Sequence, residues 1–252
     1  MTRTLEDLDQ EGLAKLLLGM VQRMIIHHGL WYTEVRHQMG EQKALALLSR
    51  QVERSLGLQL KRLSKVFGFS MTDGLPDFLR QLPADTMKQA LEQVSVSWLA
   101  NDGIWFQAVE QDRGMNDAKR CNDSCWAIFS PVEAESIRHF LKLDPQPGLE
   151  GLKKALGFRL YAVINVQSIV EETEDSFVFQ MNECRVQAAR KRKGLDDYPC
   201  KSAGMVEYAY FARTIDPRIE TECVGCPPDA HPDEWFCAWR FTMKSSKEHS
   251  GS

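Results

Sequence analysis

Apolar residues Leu13, Leu16, Leu17, Met20, Val21, Met24 and Ile25 recur at three- and four-residue intervals, which predicts an amphipathic helix near the N-terminus. Asp9 is placed to cap it, and Gly12 weakens its first turn. The run Gly29-Leu30-Trp31-Tyr32 predicts a further helix whose aromatics anchor a core against the first. Gly40 suits a chain reversal, after which Ala44, Leu45, Leu47 and Leu48 open another helix. Leu60, Leu63, Val66 and Phe67 carry the helical period onward.

The pattern then returns. His28-Gly29-Leu30-Trp31-Tyr32, with Val35, Gly40 and Ala44, reappears 74 residues later as Asp102-Gly103-Ile104-Trp105-Phe106, with Val109, Gly114 and Ala118. The same ungapped offset pairs Gly74-Leu75 with Gly148-Leu149 and Leu82 with Leu156. Residues 10–83 and 84–157 therefore read as two copies of one helical unit. Within the second copy, Ser130-Pro131-Val132-Glu133 reads as a helix start. Cys121 and Cys125 share a helical face, where Cys121 replaces Leu47 and reads as a small core residue.

From about Phe158 the period of 3.6 gives way to strand signals. Leu160–Val166, Ser176–Met181, Ile219–Val224 and Trp235–Met243 read as strands, and Cys184–Gly194 and Lys201–Ile215 as helices. The expected architecture is α+β: an N-terminal helical domain (1–157) built from a tandem duplication, then a cysteine-rich α+β domain (158–243) with a small antiparallel sheet. A disordered tail (244–252) completes the expectation.

Composition narrows the function classes. A chain of 252 residues, 43% hydrophobic and 26% charged, is ordinary globular material. A net charge of -4 argues against nucleic acid as a partner. No apolar run approaches the ~20 residues of a membrane span, and the acidic N-terminus does not read as a targeting signal. A cytoplasmic location follows, where thiols stay reduced.

Against that background the cysteines stand out. Cys184, Cys200, Cys223, Cys226 and Cys237 fall within one short region. Cys223-x-x-Cys226 can chelate one ion, and Cys200 and Cys237 are the first choices to complete four thiolate ligands for Zn²⁺ or an iron–sulfur cluster. Cys184 is the reserve ligand or a fifth, reactive thiol and candidate nucleophile. Arg185, Arg190 and Lys201 lie beside these thiols and are candidates to bind a small anionic ligand. The basic run from Arg190 to Lys193 reads equally as a solvated face, and Asp229, His231 and Asp233 as a solvated turn.

Several stretches carry a resemblance. H-H-G-L-W-Y-T-E-V from His27, C-R-V-Q-A-A-R-K-R-K-G from Cys184, Y-P-C-K from Tyr198 and the run from Cys223 to Phe241 resemble a family of cytosolic proteins found mainly in anaerobic bacteria. That resemblance covers most of the chain and implies no particular activity. More remotely, the C-terminal third is similar to the aminothiazoline carboxylate hydrolase family. The shared pattern is a Cys before a short helix, a second after it and a Cys opening the last strand, occupied here by Cys184, Cys200 and Cys237. It implies a cysteine-dependent hydrolase of a small C–N or C–S substrate, with Cys184 or Cys200 as nucleophile. Cys223-x-x-Cys226-Pro-Pro departs from that pattern. A fainter likeness to vinyl-reductase-type domains implies a non-catalytic ligand-binding or sensory module.

Overall fold

The computed structural model describes residues 4–192, 194 and 196–244. Helix α1 runs from Gln10 to Met39 and α2 from Glu41 to Phe67. Asp9 caps α1, its carboxylate accepting from the Gly12 N–H at 2.8 Å. The turn between the helices is Gly40 at φ 82°, a left-handed angle that a side chain would strain. No second helix begins at Gly29: α1 passes straight through it, and Trp31 is 61% exposed instead of buried. The short hairpin β1 (Met71–Thr72) and β2 (Leu75–Pro76) turns on Asp73-Gly74, both at positive φ. It leads into α3 (Asp77–Arg80).

A second pair follows, α4 (Ala84–Arg113) and α5 (Met115–Leu141), with Gly114 at φ 88° between them. Each boundary lies 74 residues beyond its counterpart: Gln10 and Ala84, Met39 and Arg113, Glu41 and Met115, Phe67 and Leu141. Pro131 does not start a helix. It sits inside α5, which continues despite the missing N–H donor. Cys121 and Cys125 both lie on the exposed side of α5, so Cys121 is no core residue.

Then come α6 (Gly148–Leu156), α7 (Leu160–Ile164), β3 (Val166–Val170), β4 (Ser176–Glu183), α8 (Arg185–Arg192), α9 (Lys201–Ile215), β5 (Ile219–Gly225) and β6 (Cys237–Met243). The last four strands form one antiparallel sheet in the order β3-β4-β6-β5. The fold is α+β, helical in its N-terminal part. Phe177, Phe179 and Met181 of β4 and Cys237, Trp239 and Phe241 of β6 alternate along their strands into one core. Ala134 and Ile137 of α5, Leu152 and Leu156 of α6, and Tyr208, Phe211 and Ile215 of α9 close that core.

Leu160 to Ile164, rich in strand formers, is helical because of its neighbours. Glu133 on α5 accepts the Leu160 N–H at 2.9 Å, so a carboxylate caps the first turn of α7. The same carboxylate takes the Arg159 Nε at 2.9 Å, and Glu207 on α9 takes Nη2 at 2.6 Å. Arg159 is fully buried, and its guanidinium lies over the rings of Tyr208 and Phe211. This trio ties α5, α7 and α9 together. The chain separates into two compact units, Met1–Arg62 and Leu63–Ser252. The border expected between 157 and 158 lies inside the second unit, where α5 packs along α9. The tail from 245, with Lys193 of the basic run, lies outside the described residues.

Candidate thiol centre

Three elements deliver the sulfurs. Cys200 immediately precedes α9, Cys226 follows β5 and Cys237 opens β6. Antiparallel pairing of β5 with β6 brings the last two ends together, with a register shift between Cys223 and Gly225. The Lys201 N–H donates to the Pro227 carbonyl at 2.9 Å, which docks the start of α9 onto the Cys226 loop. Cys200 Sγ and Cys226 Sγ then lie 3.6 Å apart, and Cys226 also hydrogen-bonds the Cys237 thiol. All seven cysteines are free.

Gln187, which the sequence did not single out, organises the approach. This buried α8 residue donates from Nε2 to the Tyr198 carbonyl at 2.9 Å and to Cys200 Sγ at 3.5 Å. Its Oε1 accepts the Tyr198 N–H at 2.8 Å. The only sequence signal was its place one turn beyond Cys184.

The thiols differ in acidity. Cys200 is pulled below its ordinary value, chiefly by the Cys226 hydrogen bond, with Gln187 helping and burial opposing. Cys226 is driven the other way by its bonds to Cys200 and Cys237 together with burial. In this pair Cys226 keeps its proton and Cys200 carries the thiolate character. Burial pushes Cys184 up to about 12, although backbone N–H groups of Gln187 and Val186 face its sulfur. Burial thus disfavours the thiolate at Cys184. Burial also raises Cys223, partly offset by the Lys201 ammonium.

Two of the expected anion binders are otherwise engaged. Lys201 Nζ holds Asp229 Oδ2 at 2.6 Å, and Arg190 Nε donates to the Asp196 carbonyl at 2.6 Å. Arg185 is exposed, and its backbone N–H donates to Asn165 at 2.8 Å. His231 is no ligand either: Nε2 faces Asp197 at 3.0 Å and Nδ1 the Pro232 carbonyl at 2.8 Å. Among the described residues, no group of three or more His, Cys, Asp or Glu side chains is arranged to hold a metal ion.

A polar cluster that the sequence did not flag adjoins Cys200. Lys119 Nζ sits 4.8 Å over the Tyr198 ring and 3.2 Å from Asp123. Asn122 donates to Asp102 at 3.5 Å. Beside it Trp98, Trp126 and Tyr161 pack, with Tyr161 stacked on Trp126 at 5.6 Å.

No helix among the described residues is long and apolar enough to cross a membrane. No curated protein and no solved structure matches this chain. A family profile does match, over residues 80–243, which takes in α4, α5, the four-stranded sheet and the five C-terminal cysteines. The chain belongs to that family, the family of unknown function DUF6125.

Proposed function

We propose that this is a cytosolic metal-thiolate protein in which Cys200, Cys223, Cys226 and Cys237 hold Zn²⁺ or an iron–sulfur cluster. The observation that carries the reading is the pair of sulfurs at 3.6 Å, joined through Cys226 to Cys237. Tetrahedral zinc with Zn–S near 2.3 Å needs sulfurs roughly 3.8 Å apart. Metal would displace the protons now held between thiols, with Cys237 and Cys223 turning onto the same point. In a reducing compartment the thiols stay available.

The test is metal content and visible absorption of anaerobically purified protein. About one ion or cluster per chain is expected, and Cys226→Ser should abolish it. Less than ~0.2 metal per chain in the wild type ends the reading, because thiolate sites hold zinc by ~10 kcal/mol or more.

A second reading, a cysteine-dependent hydrolase of a small C–N or C–S substrate, is favoured by one observation. Cys200 is partly exposed, precedes a helix N-terminus and is pulled toward the thiolate. Its nucleophile would be Cys200 instead of Cys184. Iodoacetamide labelling of metal-free protein should then show Cys200 reacting with an inflection below pH ~8.5, the value of a free thiol.

A further inference from the structure

Cys200 and Cys226 can react with each other without a metal. Their sulfurs lie 3.6 Å apart, and a disulfide holds two sulfurs at about 2.05 Å, so about 1.5 Å of closure separates the two states. Side-chain rotation alone can supply that distance. The backbone is braced next to both cysteines, because the Lys201 N–H donates to the Pro227 carbonyl at 2.9 Å. Gln187, buried and bonded twice to the Tyr198 backbone, donates to Cys200 Sγ at 3.5 Å and restrains that sulfur.

The two thiols differ in access. Cys226 is fully buried and belongs to the core that the sheet shares with α9, as does its other neighbour Cys237. Cys200 is only partly buried, at the start of α9. A small oxidant therefore meets Cys200 first, and Cys226 is the thiol already in contact behind it. An accessible cysteine beside a second, resolving cysteine is the arrangement of a redox-reactive pair.

We propose that Cys200 and Cys226 form a hydroperoxide-reactive dithiol, in which Cys200 is oxidised first and Cys226 resolves it to a disulfide. In the first step the Cys200 sulfur attacks one oxygen of the peroxide. The S–O bond forms, the O–O bond breaks, and the thiol proton leaves on the departing oxygen, as water when the oxidant is hydrogen peroxide. Sulfur gives up two electrons, the peroxide takes them, and Cys200 is left as a sulfenic acid. The Cys226 sulfur then attacks that sulfur. The S–S bond forms, the S–O bond breaks, and the hydroxyl departs as a second water with the Cys226 proton. One peroxide and two thiols thus become one disulfide and two waters, and a dithiol reductant reverses the bond. The inference goes beyond the metal-thiolate reading and does not need it. With a metal bound, closing the pair removes two of its four ligands.

The test treats the reduced full chain with one equivalent of hydrogen peroxide, blocks the remaining thiols with iodoacetamide and maps the peptides by mass spectrometry. Free thiols should fall from seven to five, one linked peptide should join Cys200 to Cys226, and dithiothreitol should restore all seven. Cys226→Ser should hold Cys200 as a sulfenic acid that dimedone traps, while Cys121→Ser should leave the yield of linked peptide unchanged. A disulfide joining Cys226 to Cys237, or Cys200 driven to sulfinic acid with Cys226 still free, would overturn the proposal. If Cys226→Ser does not fold, the wild-type map decides alone. Metal content of the same sample separates the two readings. A linked Cys200–Cys226 peptide in protein that never held metal keeps this inference and ends the other, and metal that stays bound with no linked peptide does the reverse.

Discussion

The two helix pairs share a backbone plan and almost nothing of its use. Both have helices of 30 and 27 residues about a left-handed glycine. Along α2 the matching positions Leu45, Leu48, Ser49, Val52, Ser55 and Gln59 are small, aliphatic or neutral, and Val52 is exposed. The same positions on α5 hold Lys119, Asn122, Asp123, Trp126, Phe129 and Glu133. Helix length and turn are therefore local properties that tolerate wholesale change of the inner face. That face is chosen by what it meets: aromatic where α7 packs, ionic where Arg159 is buried, polar beside Cys200.

The sharpest break of that contrast is at Glu133's partner. Arg159→Met leaves Glu133 and Glu207 buried without their cation and should cost about 3–5 kcal/mol in urea unfolding of the full chain. Gln59→Met, at the position matching Glu133, should change the same midpoint by less than ~0.5 kcal/mol. Near-equal values would mean that the trio does not distinguish the pairs. Next in size is the aromatic layer. Trp126→Ala removes contacts with Trp98, Phe129 and Tyr161 and should cost about 3 kcal/mol. Val52→Ala, its counterpart, is partly exposed and should cost less than ~1 kcal/mol by the same assay.

The smallest effect is electrostatic. Burial raises the Asp102 carboxyl, with Lys119 pulling it back in part. A carboxyl raised on folding contributes stability below its unfolded value, and that contribution is lost as pH rises through its folded value. Asp102→Asn should accordingly raise the urea midpoint of the full chain at pH 7. The gain should vanish as pH falls below ~4. A variant whose gain persists in acid would show that charge is not the cause. His28 stands at the matching place on α1, where no Lys119 faces it because the residue there is Leu45.

How far the sequence foretold this depends on range. Asp9, Gly40 and Gly114 act on their own neighbours, and their roles were legible. So was α9, whose span from Lys201 to Ile215 follows from a local apolar period. Residues 160–164 were misread because a carboxylate 27 positions earlier overrules their strand preference. The core-anchoring role expected of Trp31 fails: at 61% exposure it is not buried, nor is its counterpart Trp105 at 69%. Aromatic character fixes no direction on a helix apolar nearly all round. Among the thiols, spacing pointed to the right neighbourhood but not to rank. Burial holds the proton on Cys184, and Cys200 gains acidity from Cys226 and Gln187, neither adjacent in sequence.

Gly204 carries a consequence of its own. A Cβ at this position would fall 2.4 Å from Cζ2 of Trp239, so α9 rests directly on the indole. Its N–H donates to the carbonyl of Cys200 one turn earlier. Any side chain here would lift the first turn of α9 and carry the Cys200 sulfur away from its mate. The reach between the two sulfurs is thus governed by an atom the protein does without.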